Sequence, residues 1–558
     1  MAVSPGRPES LSSRRLAQIT WTLIAMGVLA RLVRYLLKFP LWPDEAFLAA
    51  SLLDRGYLDL MRPLEYAQVC PIGFLWVQAT VVKLLGFCEF TLRLFPLLCS
   101  LAGLFVFRHL AGRLFKGVAW MLAVGIFSVA YPGLRYAVEA KPYGCDLFVS
   151  LLLITMVVEW WYRGQDRRWM FCLIGFAPVA LLLSYPAIFV AGGVSLAVAH
   201  AIWSERTRGR WTLWVVYNLV LVGSFAGVYG LTIVTQTASE ISNMSDQWGH
   251  TFPPLTSPLK LLGFLAIAHT SELVAYPVGG ARGASLLTAV CCGIALVFVW
   301  RRGHRFLFVL CLAPLALNFV AAAMHRYPYA GHVRFMLYMG PMVCLLAGLG
   351  MAVLLDRLTH PRTPRPIPVV VLAMLLLVIP VGSMARDFLH PFKQLDYQRS
   401  RDFARWLWFT EALDGELVCV RNDLGKDFAP GTFAEGASSL YLCNQRIYSA
   451  RHANGELPQM DRVSRDWPLR CVLFRSPIIP FDEEAFDKWL DEMKTRYLLV
   501  SFARHSLPLH DRRTGDVWYT DRVELYEFVP KSADTLPTVA ERNPFRRARA
   551  LEANRRVR

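Results

Sequence analysis

Long blocks of apolar residues alternate with short arginine-rich segments through roughly the first two thirds of the chain. About 20 apolar residues in a helix cross the hydrocarbon core of a bilayer, so blocks of this length predict membrane-spanning helices. One run is too long for a single crossing, and Pro186 divides it into a helical hairpin. About eleven spans result, at approximately 16–37, 93–110, 118–134, 143–161, two within 169–203, 212–234, 284–300, 306–323, 335–355 and 367–384.

The basic segments indicate the sidedness of these spans, because Lys and Arg concentrate in cytoplasmic loops. Arg14 and Arg15 precede the first span and predict a cytoplasmic N-terminus. If the apolar stretch 71–87 also crossed, every later basic segment would face outward. We therefore interpret 71–87, and likewise 259–268, as helices that lie at the membrane surface.

The composition changes near residue 386, where polar segments begin to alternate with short β-rich runs and helix-like stretches. The β-rich runs are 417–420, 471–474, 497–500 and 523–526, and the helix-like stretches are 396–411 and 483–495. This pattern predicts a soluble α/β domain. The predicted fold class is an α-helical polytopic membrane protein of about 11 transmembrane helices plus juxtamembrane helices, with a C-terminal soluble α/β domain. The predicted domains are 1–385 in the membrane, 386–535 as an extracytoplasmic α/β domain and 536–558 as a basic disordered tail.

Composition supports the membrane class and excludes others. Of the 558 residues, 55% are hydrophobic and 18% charged, whereas a soluble protein carries about 25% charged residues. The net charge of +17 arises from arginine-rich loops and the tail, and no nucleic-acid-binding motif accompanies it, so a nucleic-acid partner is not expected. The 12 cysteines show no zinc-ligand spacing, so no zinc site is indicated.

Charged residues collect on the side of the membrane that this topology makes external. Asp44 and Glu45 follow the first span, and Glu139 and Lys141 lie in the second external segment. Other polar residues on this side are Arg93, Arg135, Tyr143, His325, Arg326, His332 and Arg334. Cations outside run against the positive-inside rule, so they indicate an anionic ligand at the outer surface.

Structural roles are an alternative for several of these residues. Asp44 and Glu45 follow Pro43, where carboxylates also stabilise the positive end of a helix. Glu139 and Lys141 could instead form an exposed ion pair of small energetic value.

Three arginines have either a structural role or a role in binding an anion. Arg31 and Arg34 lie on one helix face near the outer end of the first span, where they either reach to the interface or contact an anion. Arg93, at the start of the second span, either fixes the position of that span or binds the anion.

Short motifs at these positions resemble a known superfamily. Trp42-Pro43-Asp44-Glu45 resembles the acidic first-loop motif of the polyprenyl-phosphate-sugar-dependent glycosyltransferases, the C-type superfamily that includes protein O-mannosyltransferases and lipid A aminoarabinose transferases. The segment 91–96 resembles the Arg-hydrophobe-Pro motif that begins the second span in this family.

Two later segments extend the resemblance to roughly residues 16–355. The segment 135–143 resembles the family's second external loop, with Lys141 in place of the usual Arg, and Arg334-Phe335 resembles its Arg-aromatic pair. One departure is Val69-Cys70-Pro71, where some relatives carry a Lys or His.

The resemblance implies an inverting hexosyl- or pentosyltransferase that moves a sugar from a polyprenyl-phosphate donor to a lipid, glycan or protein acceptor. Asp44 is implied as the general base. Glu45 and Glu139 would orient the acceptor, pair with an arginine, or bind a divalent cation with Asp44, and use of a metal is left open.

The leaving phosphate needs no protonation if cations stabilise it. The implied phosphate ligands are Lys141, Arg135, Arg93, Arg334 and Arg326, and Tyr143 and His332 are the expected substrate contacts. The site and the C-terminal domain would lie on the extracytoplasmic side of the inner membrane.

Two other classes of function are weighed against the transferase. A transporter or flippase of lipid-linked saccharides would place its charges near the bilayer midplane, often within internal repeats. A membrane scaffold that displays the C-terminal domain would not need a charged outer cleft.

Overall fold

The computed structural model describes residues 12–53, 55–205, 210–237, 249–358, 366–411, 417–421, 443–444, 447–448, 469–475, 483–510 and 516–531. The chain forms two compact units. The first comprises Met1–Pro40 and Asp54–Phe392, and the second comprises Leu41–Leu53 and Lys393–Arg558.

The first unit is entirely helical over its described residues. Its α-helices are Ser13–Leu36, Ile72–Leu85, Glu89–Leu114, Gly117–Val129, Tyr131–Arg135, Tyr143–Tyr162, Arg167–Leu183, Ala187–Glu205, Trp211–Val228, Val234–Thr237, Pro258–Thr270, Leu286–Arg301, Arg305–Ala323, Gly340–Leu358 and Pro366–Leu389. Short 3-10 turns connect some of them, at Asp59–Met61, Glu65–Ala67, Tyr136–Val138, Gly249–Thr251, Glu272–Val274 and Val333–Met339.

Among the described residues, eight helices are long and apolar enough to cross a bilayer. They are Ser13–Leu36, Glu89–Leu114, Tyr143–Tyr162, Ala187–Ser204, Trp211–Gln236, Arg305–Ala323, Val333–Arg357 and Ile367–Leu389. The pair Gly117–Val129 and Tyr131–Val138, bent by 40°, is a further candidate. The two other predicted spans are also helices, Arg167–Leu183 and Leu286–Arg301. The predicted class, a polytopic helical membrane protein, is therefore confirmed.

The stretches predicted to lie at the membrane surface form the helices Ile72–Leu85 and Pro258–Thr270, of 14 and 13 residues. At about 1.5 Å per residue, each is shorter than the roughly 30 Å hydrocarbon core. Length alone does not separate them from the predicted span Leu286–Arg301, which has 16 residues, so the interfacial interpretation remains a prediction.

The helix Gly340–Leu358 packs closely between two neighbours because glycine allows backbones to approach. A Cβ atom on Gly348 would lie 2.4 Å from the backbone nitrogen of Ala123, and one on Gly350 would lie 1.8 Å from the carbonyl oxygen of Cys291. These contacts join the helix to Gly117–Val129 and to Leu286–Arg301.

The second unit contains the helices Pro43–Ala50, Leu395–Trp406 and Glu483–Arg496 and a four-stranded sheet. The strands are β1 (Leu417–Arg421), β2 (Leu469–Arg475), β3 (Tyr497–His510) and β4 (Val517–Pro530), in the order β1-β2-β4-β3. β1 pairs with β2 in parallel, and the other two pairs are antiparallel.

The helix Glu483–Arg496 packs its apolar side chains against one face of this sheet. Alternate residues of β2 (Leu469, Cys471 and Leu473) face the same side, as the twofold repeat of a strand requires. The helix contributes Phe486, Trp489, Leu490 and Met493, which recur at helical spacing. The predicted soluble α/β domain is thus confirmed as a fold, whereas the predicted tail 536–558 lies outside the described residues.

Candidate functional site

The segment between two helices of the first unit carries the best-defined part of the site. After the turn Tyr136–Val138 the backbone becomes extended at Glu139, and the amide nitrogen of Lys141 donates to the Glu139 carbonyl at 2.7 Å. Pro142 then precedes the helix Tyr143–Tyr162. The tight turn directs both charged residues inward: Glu139 is 3% exposed and Lys141 is 5% exposed. The alternative of an exposed surface pair is therefore wrong.

Lys141 points into a layer of polar groups. Its Nζ donates to Gln68 Oε1 at 2.5 Å, and Gln68 Nε2 donates to the carbonyl of Tyr66 at 3.1 Å. Burial raises the pKa of the neighbouring Cys70 thiol, and the charge of Lys141 opposes that rise. The side chain of Lys141 thus places its charge beside segment 66–70 in a region with little water.

Four charged side chains surround the phenol of Tyr136. They are Arg135, Glu139, Glu272 and Arg334, all close enough for their charges to act on it. The guanidinium of Arg135 lies over the Tyr136 ring at 5.2 Å, and Arg135 Nε lies 4.0 Å from Glu139 Oε1. The Tyr136 hydroxyl is buried and has no hydrogen-bond partner in the part of the chain that the structure describes.

Tyr143, Arg334 and His332 contribute to the same region. The Tyr143 ring packs edge-on against Tyr136, with ring centres 5.3 Å apart. His332 Nδ1 accepts from the Arg334 amide nitrogen at 3.3 Å, and the Arg334 guanidinium lies over the Phe335 ring at 5.1 Å. The structure therefore brings together residues that are almost 200 positions apart in the sequence.

Glu272 is a member of this cluster that sequence reasoning missed. Its Oε2 accepts from the amide nitrogen of Val333 at 3.2 Å. Burial raises the pKa of Glu272, while this hydrogen bond and the charge of Arg135 lower it, and the net shift is upward. A signal was present, because Glu272 is the only acidic residue between Asp246 and Asp356.

The other two predicted phosphate ligands are placed differently. Arg93 is buried and donates to the carbonyls of Phe39 at 2.7 Å and Pro40 at 3.3 Å, so it fixes the chain just after the first helix. Arg326 is exposed, and only its neighbour Tyr327 turns inward to donate to the Phe335 carbonyl at 3.1 Å.

Asp44 and Glu45 lie in the first turn of the helix Pro43–Ala50, in the second unit. Glu45 is buried, and its Oε2 accepts from the amide nitrogen of Trp42 at 3.3 Å, which caps the helix. Asp44 is only partly buried. The capping interpretation thus applies to Glu45, whereas the convergence of Asp44 with Glu139 remains a prediction.

Two arginines of the first helix have structural partners. Arg31 is buried, with Nε donating to Ser100 Oγ at 2.8 Å and Nη1 donating to the carbonyls of Gly27 and Ser128 at 2.9 and 2.8 Å. Arg34 Nη1 lies 2.5 Å from Asp387 Oδ1. Both therefore join helices within the first unit.

Among the described residues, no group of three or more His, Cys, Asp or Glu side chains is arranged to hold a metal ion. The divalent cation that the sequence left open thus has no ligand cluster in this part of the chain.

No protein-family model and no curated protein matches this chain at a significant level. Among solved structures, it is similar to ArnT from Cupriavidus metallidurans bound to undecaprenyl phosphate, with a TM-score of 0.49 and 15% identity, covering 90% of this chain and 97% of that one. The apo state of ArnT gives a TM-score of 0.47 and 16% identity over 91% and 98% of the two chains.

The oligosaccharyltransferase AglB from Archaeoglobus fulgidus, in complex with an inhibitory peptide and a dolichol-phosphate, is also similar. Its TM-score is 0.39 and its identity 11%, covering 92% of this chain and 75% of that one.

Proposed function

We propose that this chain is an integral-membrane glycosyltransferase that transfers a sugar from a polyprenyl-phosphate donor to an acceptor outside the cytoplasm. The observation that carries the proposal is the set of charged side chains around the buried Tyr136, together with the buried Lys141 five residues further along the chain. Lys141 is buried, and Arg135 and Arg334 are partly buried. Cations that lose hydration are costly unless a partner compensates them, so three of them in one part of a membrane protein favour an anionic ligand.

The leaving group of such a donor is a lipid phosphate, which the cluster suits chemically. Arg135 and Arg334 offer planar forks of N–H donors that match phosphate oxygens, and Lys141 adds a compact charge. A site with little water strengthens these interactions, so the phosphate leaves as an anion without a protonating acid. Tyr143 and His332, beside the same cations, would contact the donor.

We assign the general base to Asp44. Its carboxylate would take the proton of an acceptor hydroxyl as the hydroxyl oxygen attacks the anomeric carbon from the face opposite the phosphate, which leaves with inversion of configuration. Glu45 is used as a helix cap, and Glu139 lies beside Arg135, so each already serves another group. Asp44 is the less buried of the first-loop pair, as a base that must meet an acceptor hydroxyl should be. Lipid, glycan and protein acceptors all fit this role.

The remaining assignments follow from the contacts. Arg93 would act indirectly, by fixing residues 39–40 ahead of the segment that bears Asp44. Arg326, which is exposed, would meet the donor only at the rim of the site. We place this site and the second unit on the outer face of the inner membrane.

The test is transfer by the purified full-length protein in detergent, with an undecaprenyl-phosphate-linked sugar and a membrane extract as the acceptor source. Release of undecaprenyl phosphate is followed by mass spectrometry. Asp44→Asn should lower kcat by about 10²- to 10⁴-fold, the range for loss of a general base. Lys141→Met should lower it by about 10²- to 10³-fold, as for loss of a group that stabilises developing charge.

Matched controls come from the same part of the chain. Asp59 is exposed and Lys83 lies on the surface over the Tyr57 ring at 3.9 Å, so Asp59→Asn and Lys83→Met should both retain wild-type turnover. A flippase would release no undecaprenyl phosphate in micelles, where there are no sides to cross. Equal turnover of the wild type and Asp44→Asn would remove Asp44 as the base.

A further inference from the structure

Glu272 is isolated in the sequence and half-buried in the structure. It is the only acidic residue in a stretch of more than 100 residues, between Asp246 and Asp356, that contains several arginines. It begins the 3-10 turn Glu272–Val274. A carboxylate that loses part of its hydration needs protein groups that replace the water, so its contacts indicate what it does.

One of these contacts fixes the backbone that carries Arg334. The amide nitrogen of Val333 donates to Glu272 Oε2 at 3.2 Å, and that of Arg334 donates to His332 Nδ1 at 3.3 Å. The first N–H groups of a helix have no partner within it, and here two side chains supply the acceptors. The position from which the Arg334 side chain extends is thereby held.

The charge of Glu272 acts on a second cation, Arg135. Arg135 also has Glu139 Oε1 4.0 Å from its Nε. A guanidinium has five N–H donors, so Arg135 retains donors for an anionic ligand beside these two carboxylates. Glu272 therefore contacts the backbone that carries one arginine of the cluster and lies within electrostatic reach of the other.

An unsatisfied polar group lies next to these charged side chains. The hydroxyl of Tyr136 is buried among these charges and has no hydrogen-bond partner among the described residues. Native proteins satisfy nearly all buried polar groups, so an unpaired hydroxyl surrounded by charge points to an additional polar ligand.

We propose that Glu272 is a positioning residue, whose carboxylate holds the backbone that carries Arg334, beside Arg135, in the geometry that binds the phosphate of a polyprenyl-phosphate sugar. This inference rests on the proposed function and deepens it. Glu272 acts through Arg334 and does not itself touch the reacting atoms.

Glu272→Gln keeps an oxygen that can accept from the Val333 amide, so it is the conservative variant and should not weaken donor binding by more than about threefold. The decisive variant is Glu272→Leu, which removes that acceptor. We expect the KM for the donor to rise about tenfold with kcat within about threefold, because binding geometry is lost and the chemical step is retained. The Kd for undecaprenyl phosphate alone, measured by calorimetry, should rise by a similar factor. Glu492→Gln, on an exposed helix position of the second unit, is the matched control and should change neither quantity.

The direction of the change separates positioning from simple repulsion. A carboxylate near a phosphate also repels it, so removing the charge without any loss of position would tighten binding. A Kd that falls or stays constant in Glu272→Leu overturns the inference.

A double-mutant cycle with Arg334→Gln tests the route of action. If Glu272 acts through Arg334, Glu272→Leu should add less than about threefold to the Kd in the Arg334→Gln background, because residues in one network couple. Full additivity overturns the inference. Absence of sugar transfer by the wild type would refute the proposed function, and the calorimetric comparison would still decide the role of Glu272.

Discussion

The ion pair between Arg34 and Asp387 offers a sharp test of how the first unit is held together. Arg34 Nη1 and Asp387 Oδ1 are 2.5 Å apart, and the two side chains are 7% and 8% exposed. The pair joins the helix Ser13–Leu36 to the helix Pro366–Leu389, and Arg34 also lies over the Phe39 ring at 4.6 Å. The perturbation is to replace each member separately, as Arg34→Met and Asp387→Leu, and then both together.

The distance sets the scale of the effect. Unit charges 2.5 Å apart attract by about 7 kcal/mol at an effective dielectric constant of about 20. Desolvation cancels much of this attraction, so the whole pair can be replaced by apolar residues at little cost, within about 1 kcal/mol. Removal of one partner leaves the other buried without compensation and should cost about 3–5 kcal/mol.

The assay is thermal unfolding of the full-length protein in one detergent, followed by tryptophan fluorescence. Both single variants should lower the apparent Tm, and the double variant should recover most of the loss. Arg62→Ala is the control, because the ion pair of Arg62 with Asp59 is 78% and 51% exposed and should contribute at most about 1 kcal/mol. If the double variant lowers the apparent Tm by as much as the two single variants together, Arg34 and Asp387 do not compensate each other's buried charge.

The same variants decide between the two interpretations that the sequence allowed for Arg34. If Arg34 only joins two helices, the double variant should transfer sugar with an unchanged KM at a temperature well below its Tm. A donor KM raised more than about tenfold in the double variant would instead assign Arg34 to anion binding.

Two further predictions concern packing and pH. Gly350→Ala should destabilise the first unit by about 1–3 kcal/mol or more, because its Cβ would lie 1.8 Å from the Cys291 carbonyl oxygen. Gly293 has open space around it, so Gly293→Ala is the control and should not destabilise the unit. Equal Tm values for the two variants would contradict the close helix contact. Burial lowers the pKa of His505, whose ring packs against Phe403 and Trp406 at 5.5 and 5.7 Å. The folded state then binds a proton at His505 less readily than the unfolded state, so stability should fall as the pH drops below about 6.5. In His505→Phe, the Tm should therefore fall less between pH 7.5 and 5.5 than in the wild type. An unchanged slope of Tm against pH would show that other groups control the pH dependence.

The helices could be predicted from the sequence because a membrane-spanning segment is recognised by the length of its apolar block alone. An apolar block of sufficient length must be helical, and Pro186 must interrupt it, so each predicted span coincides with a helix. The strands of the second unit were predictable from their short β-rich runs, although β3 and β4 extend well beyond the predicted 497–500 and 523–526.

The partners of buried charges were not predictable in this way, because they depend on contacts between distant segments. Arg34 gave no sign in the sequence that Asp387, more than 350 residues away, would be its partner. Arg93 was expected to bind a ligand, yet its described hydrogen bonds go to backbone carbonyls, which no side-chain motif reveals. Glu272 lies outside every motif, and only its isolation among cations marked it.

The position of Lys141 explains how the site accommodates its departure from the resembled family. The segment 69–71 lacks the Lys or His that some relatives carry there. In this chain the ammonium of Lys141 reaches Gln68 Oε1 at 2.5 Å, and its charge acts on the thiol of Cys70. A positive charge therefore lies beside that segment although the segment itself has none. Electrostatic stabilisation of a phosphate depends on where the charge is and not on which loop supplies it. The absence of a Lys or His in segment 69–71 is therefore compatible with the proposed chemistry.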